Sequence, residues 1–221
     1  MPNWVTTTIK VRGNENELLN LINLGLRNSN LAEATELESG FDTLVSEGTH
    51  KAANGDAFNP ERDIITEKGV TMGTFKPIPD TFLKYDTTNH ADKLQEQADE
   101  QKRLYGVVGW YDFNRENFGT KWDADCDMDL SLCNDGEWEL KIHMETAWSI
   151  PMPFIDFVKE VVGRDTYVHS YEEGGSFVVV GKAGDKEFTD YTQDCDGDDW
   201  DDWYEQFEEA INESYNDFLN R

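Results

Sequence analysis

Cysteine is scarce in this chain, with Cys126, Cys133 and Cys195 spread over 221 residues. An odd count with no Cys-x-x-Cys pair signals neither a disulfide framework nor a thiolate zinc site, and it suits a reducing, cytoplasmic setting. Basic residues are also few: 19 Lys and Arg stand against 46 Asp and Glu, for a net charge of -27. A surface of that sign repels nucleic acid and anionic membrane and attracts basic partners. No apolar run is long enough to span a bilayer, and "MPNWVTTTIKVRG" lacks the basic and apolar regions of an export signal. Gly-x-Ser-x-Gly, P-loop and dinucleotide fingerprints are absent, so no cofactor is expected.

The chain does hold aromatics, at 12% of residues, which disordered chains lack. Its charge is uneven. Residues 1 to 110 carry 17 acids and 11 bases, whereas residues 111 to 221 carry 29 acids and 8 bases.

"WVTTTIKVR" alternates Val5, Thr7, Ile9 and Val11 with Thr6, Thr8, Lys10 and Arg12, the period-two pattern of a strand with one buried face. "NENELLNLINLG" follows as a helix, with Asn14 and Glu17 spaced as a capping box. Residues 28 to 74 have no clear periodicity and read as an insertion. "NHADKLQEQADEQKRLYG" predicts a polar helix outside the main core. "DADCDMDLSLC" puts Ala124, Cys126, Met128, Leu130 and Leu132 on one face and Asp123, Asp125, Asp127 and Asp129 on the other. With "NDG" and "EWELKIHME" it predicts a hairpin with one wet face. "SIPMPFIDFVKEVVG" predicts a helix between Pro151 and Gly163, and further strands follow it.

Strand, helix, strand, strand, helix, strand predicts an α+β fold, a ferredoxin-like antiparallel sheet with helices on one face. That domain is expected over residues 1–193, with its insertion at about 28–74. Residues 194–221 form an acidic C-terminal helix whose stripe of Trp203, Tyr204, Phe207, Ile211, Tyr215 and Phe218 must pack on the same domain or on a partner, including a second copy.

"MPNW", "PIP" at 77, "YGVVGWYDFNRENFGTKWDA" at 105, "ETAWSIPMP" at 145 and "YEEGGSF" at 171 together resemble a ferredoxin-like family of phage and plasmid proteins of unknown function, the group that includes the plasmid protein YubB. The resemblance implies a mobile-element origin and supports the fold, and it supplies no active site. Val5 stands where relatives carry Cys, so thiol chemistry at that position is not implied.

Three sites compete. The acids Asp123, Asp125, Asp127 and Asp129, with Asp201, Asp202, Glu205, Glu208 and Glu209 of the terminal helix, repeat at about 6.6 Å along a strand and about 6 Å along a helix. Nucleic-acid phosphates have spacings of that order, so these arrays predict mimicry aimed at a basic host protein that grips nucleic acid. A solvated solubilising face is the plainer explanation. The second site is a pocket of Trp110, Asp112, Arg115, Glu116, Lys121 and Trp122; the plainer reading is a helical turn wedged on the sheet by its aromatics. Third, Asp194, Asp196, Asp198, Asp202 and Glu205 match several EF-hand positions, although Asp199 occupies the position that requires Gly. His143 and Glu145 share a strand face, with His169 expected across from them. The leading expectation is a non-enzymatic acidic DNA mimic that inhibits a host-defence protein and binds neither nucleic acid nor membrane directly. A metal-dependent or small-molecule/nucleotide-processing enzyme and a direct RNA-binding module are the alternatives.

Overall fold

Alternation in the first strand produces the centre of the sheet. β1 (Trp4–Gly13) buries Val5, Thr7, Ile9 and Val11 and leaves the intervening residues half-covered. The computed structural model describes residues 3–27, 70–85, 87–90, 92–133, 135–174, 178–183, 189–190 and 200–220. α1 (Glu15–Arg27) follows, and its capping box forms as the spacing predicts: Glu17 N–H donates to Asn14 Oδ1 at 3.2 Å and Asn14 N–H to Glu17 Oε2 at 2.9 Å. Short helices α2 (Met72–Phe75), α3 (Asp80–Lys84) and α4 (Thr87–His90) lead to α5 (Gln95–Tyr105) and α6 (Gly109–Asn117). Then come β2 (Cys126–Leu132), β3 (Trp138–Ala147), α7 (Met152–Val162), β4 (Thr166–Glu172), β5 (Val178–Lys182), the two-residue β6 (Thr189–Asp190) and α8 (Trp200–Leu219).

The fold is therefore α+β, with an antiparallel sheet ordered β2-β3-β1-β4-β5-β6. Its core face carries Ile9, Ile142 and Val168 in one cross-strand row, under Leu18 and Leu21 of α1 and Phe154, Ile155 and Val158 of α7. Phe75 meets Phe154 edge-on, with centroids 5.6 Å apart. α7 begins after Pro151 and ends on Gly163 at φ 68°, a left-handed conformation that glycine adopts without a Cβ clash.

Successive strand residues point to opposite faces. Lys141, Lys10 and Tyr167, each one residue from that core row, therefore lie on the second face. α8 packs there: Phe207 is buried against Tyr171, and the rings of Tyr215 and Phe218 lie 4.9 and 5.7 Å from that of Tyr167. The Tyr167 hydroxyl donates to the Ile211 carbonyl at 3.0 Å. So α1 and α7 pack on one face, while the terminal helix docks on the other.

The expected insertion at 28–74 ends inside the core. Val70 and Met72 are fully buried, and the chain there pairs with the start of β2 through Cys126 N–H to Val70 O at 2.8 Å and Met72 N–H to Ala124 O at 3.1 Å. Residues 28–69 lie outside the described residues. The polar helix appears as α5, which buries only Ala98 and Gln101. Among the described residues no helix is long and apolar enough to cross a membrane.

Candidate functional site

The second face of the sheet is built of cross-strand rows. Asp127, His143, Thr8 and His169 form one; Asp129, Lys141, Lys10, Tyr167 and Lys182 form the next; Ser131, Glu139 and Arg12 form a third. Thr8 Oγ1 lies 3.2 Å from His143 Nδ1, so His169 sits in the row of His143, one strand further away. Burial, with the charges of Lys10, His143 and Lys141 added, lowers the His169 pKa from 6.5 to about 4, and its Nδ1 is buried with no hydrogen-bond partner. Lys10 stands directly opposite Lys141, an arrangement of like charges that destabilises a sheet. Burial pushes the Lys10 pKa down, opposed by Glu139. Its ammonium lies 3.9 Å from the Tyr215 ring centroid, a cation–π contact that tethers α8, and Tyr215 also hydrogen-bonds Glu139.

β2 is an edge strand, and its aspartates border this face. Asp125 and Asp127 are exposed, while Asp129 is half-covered and its pKa is raised by burial against the pull of Lys141. Asp123 does other work. Its carboxylate accepts from Thr71 Oγ1 at 2.7 Å, Gly73 N–H at 2.9 Å and its own chain at Ala124 N–H at 3.0 Å, which pins α2 to the start of β2. Desolvation raises its pKa despite those bonds.

On α8, Glu208 and Glu209 point to solvent, as do Glu213 and Asp217. Because α8 packs on the second face, these acids and the β2 aspartates open on the same side of the molecule. Asp201, Asp202 and Glu205 belong to the same helix, but their side chains lie outside the described residues, as do Asp194, Asp196 and Asp198. Among the described residues no group of three acids, histidines or cysteines is placed to hold a metal ion.

The expected aromatic pocket divides. Asp112, Arg115 and Glu116 line an open cleft of about 540 Å³ with Lys102 and residues 106–108. Trp110 packs at the core margin, and Phe113 and Phe118 are core residues, with Phe113 and Phe82 centroids 4.8 Å apart. Lys121 and Trp122 do not join that lining. Trp122 instead packs against Trp148 with centroids 5.2 Å apart and ring planes tilted by 38°, and the Lys121 ammonium sits 4.7 Å from the Trp122 centroid. Gly119, at φ 82°, makes a left-handed turn between this helix and the strand.

Sequence reasoning missed the Trp122–Trp148 pair and the facing lysines. The signal for both lies in the strand register, which sequence alone does not supply. Comparison with known proteins finds no match: no family model, curated protein or solved structure matches the chain, and nothing links it to the phage and plasmid group.

Proposed function

We propose that the chain is a non-enzymatic acidic binding protein whose carboxylates engage a basic groove on a host nucleic-acid-binding or defence protein, in the manner of a nucleic-acid mimic. The observation that supports it is the shared side of the two acid arrays. The β2 edge with Asp125 and Asp127, and α8 with Glu208 and Glu209, flank one face of a rigid sheet, across roughly three strand spacings of about 4.8 Å each. A phage or plasmid origin and a cytoplasmic setting belong to the same proposal. So does the ferredoxin-like assignment, which the succession β1-α1-β2-β3-α7-β4 and the order β2-β3-β1-β4 favour. The enzyme alternative has less support, because the cleft at Asp112 is open and the neighbouring aromatics fill the core.

The test is capture from a host lysate at low and high salt, repeated with Asp125, Asp127, Glu208 and Glu209 changed together to their amides. The expected result is a nucleic-acid-binding protein that salt releases and the fourfold variant fails to hold. A complex indifferent to salt and to those four changes would refute the proposal.

A further inference from the structure

At the end of the sheet where β1 begins and β3 ends, three indoles face solvent: Trp4 at 39% exposure, Trp122 at 39% and Trp148 at 50%. Trp148 has φ 64° and is the one non-glycine residue with positive φ among the described residues. A bulky side chain in the left-handed region persists only where the surroundings over-determine it. Here they do. Trp148 N–H donates to Asn3 O at 2.9 Å, Thr146 Oγ1 to Ser149 O at 2.7 Å, and Ser149 Oγ to Gly119 O at 2.9 Å, which ties the turn to the segment carrying Trp122. The Thr120 hydroxyl then donates to Trp122 O at 2.7 Å. The backbone is thus fixed on both sides of two indoles that meet at an interplanar angle of 38° and stay partly exposed.

The pair already accepts a cation. Lys121 Nζ lies 4.7 Å from the Trp122 centroid and 5.9 Å from that of Trp148. Its surroundings favour more positive charge, since Asp123 and Asp125 follow closely on Trp122, and Glu145 and Glu173 are exposed at the same sheet end. Glu173 itself accepts from Trp4 N–H at 3.1 Å. The geometry points to the Trp122–Trp148 pair as the seat for an arginine side chain of a basic protein segment, with Lys121 as the resident cation that the incoming guanidinium displaces. Arginine fits because its planar guanidinium stacks on an indole face and sheds water more readily than an ammonium. The inference rests on the reading of the chain as a binder of basic protein and names the side chain that the partner would insert.

Tetra-arginine and tetra-lysine peptides, equal in side-chain charge, separate this from simple attraction. With the full-length protein at low salt, calorimetry is expected to show tighter binding of the arginine peptide. Trp148→Gly removes the indole at a position whose φ suits glycine, so it is expected to keep or raise the melting temperature while weakening the arginine peptide about five- to thirtyfold. Trp122→Leu is expected to weaken it similarly. Lys121→Gln is expected to strengthen arginine binding relative to Lys102→Gln, a loss of equal charge elsewhere.

Equal affinity for both peptides with no effect of Trp148→Gly would overturn the inference and leave the acidic-face proposal standing. A fall of several degrees in the melting temperature of Trp148→Gly would overturn it too, by making the indole a structural wedge. Tighter quenching of the pair by an oligosaccharide or a nucleoside than by the arginine peptide would assign it another ligand. If the fourfold acid-to-amide variant keeps the arginine preference while acid neutralisation never affects partner capture, the inference survives and the acidic-face proposal falls.

Discussion

Acidification should cost this protein stability at one identifiable histidine. His169 lies beneath α8 beside Tyr167, in a row with Thr8 and His143 and next to Lys10 and Lys141, and its pKa falls from 6.5 to about 4. A lowered histidine pKa means that the folded protein binds the proton less well than the unfolded chain. The corresponding stability is fully present above pH 6.5 and is lost as the pH falls towards 4. Linkage puts the loss at about 2 kcal/mol by pH 5 and at about 3 kcal/mol in the limit. Other groups act oppositely: Asp123 and Asp129 have raised pKa values and gain stability on protonation, and acid relieves the repulsion within a chain of net charge -27. The clean quantity is therefore the difference between the wild type and His169→Gln, measured by urea denaturation at several pH values. That difference should shift by about 2 kcal/mol in favour of the variant between pH 7.5 and pH 5. Parallel profiles, or an NMR titration of His169 centred between pH 6 and 7, would refute the reasoning.

Two further outcomes follow from contacts in the core and under α8. Gly25→Ala ought to help a helix interior by up to about 1 kcal/mol, but the new Cβ would stand 2.8 Å from Phe75 ring carbons and 3.1 Å from Val70 Cγ1. Phe75 is itself locked edge-on to Phe154, so the expected net result is a loss of about 1–3 kcal/mol in denaturant unfolding. Tyr167→Phe removes the hydrogen bond to Ile211 O and should cost about 1 kcal/mol. Hydrogen exchange should then show faster opening of α8, with β1 and β3 unchanged.

Local pattern revealed the elements whose reasons are local. Alternation placed β1 and both arms of the β2–β3 hairpin, Asn14 and Glu17 marked the start of α1, and Pro151 and Gly163 bracketed α7. What stayed hidden depends on distant pairing. Residues 70–74 look like the tail of an insertion until Thr71 bridges to Asp125 and Val70 enters the core. The aspartate ladder reads as four equivalent side chains, yet Asp123 caps α2 and Asp129 leans towards Lys141. Lys10 and Lys141 each look like ordinary wet-face residues, and only the β1–β3 register sets them opposite one another. The amphipathic stripe of α8 announced that it needed a partner, but not that its own sheet supplies one.

The position of β1 also bears on how the chain is made. Its neighbours are β3 and β4, and its pairings run from Trp4 with Ala147 to Val5 with Glu172. At roughly 5–20 residues per second, a ribosome needs roughly 8–30 seconds to go from the first of these strands to the last. Until β3 follows, the strand at the middle of the finished sheet has no strand beside it, and its β4 edge stays open to the end of that interval. The first strand of the sheet to be made is thus among the last to complete its pairing, which makes the nascent chain a natural client for a chaperone that holds extended apolar segments.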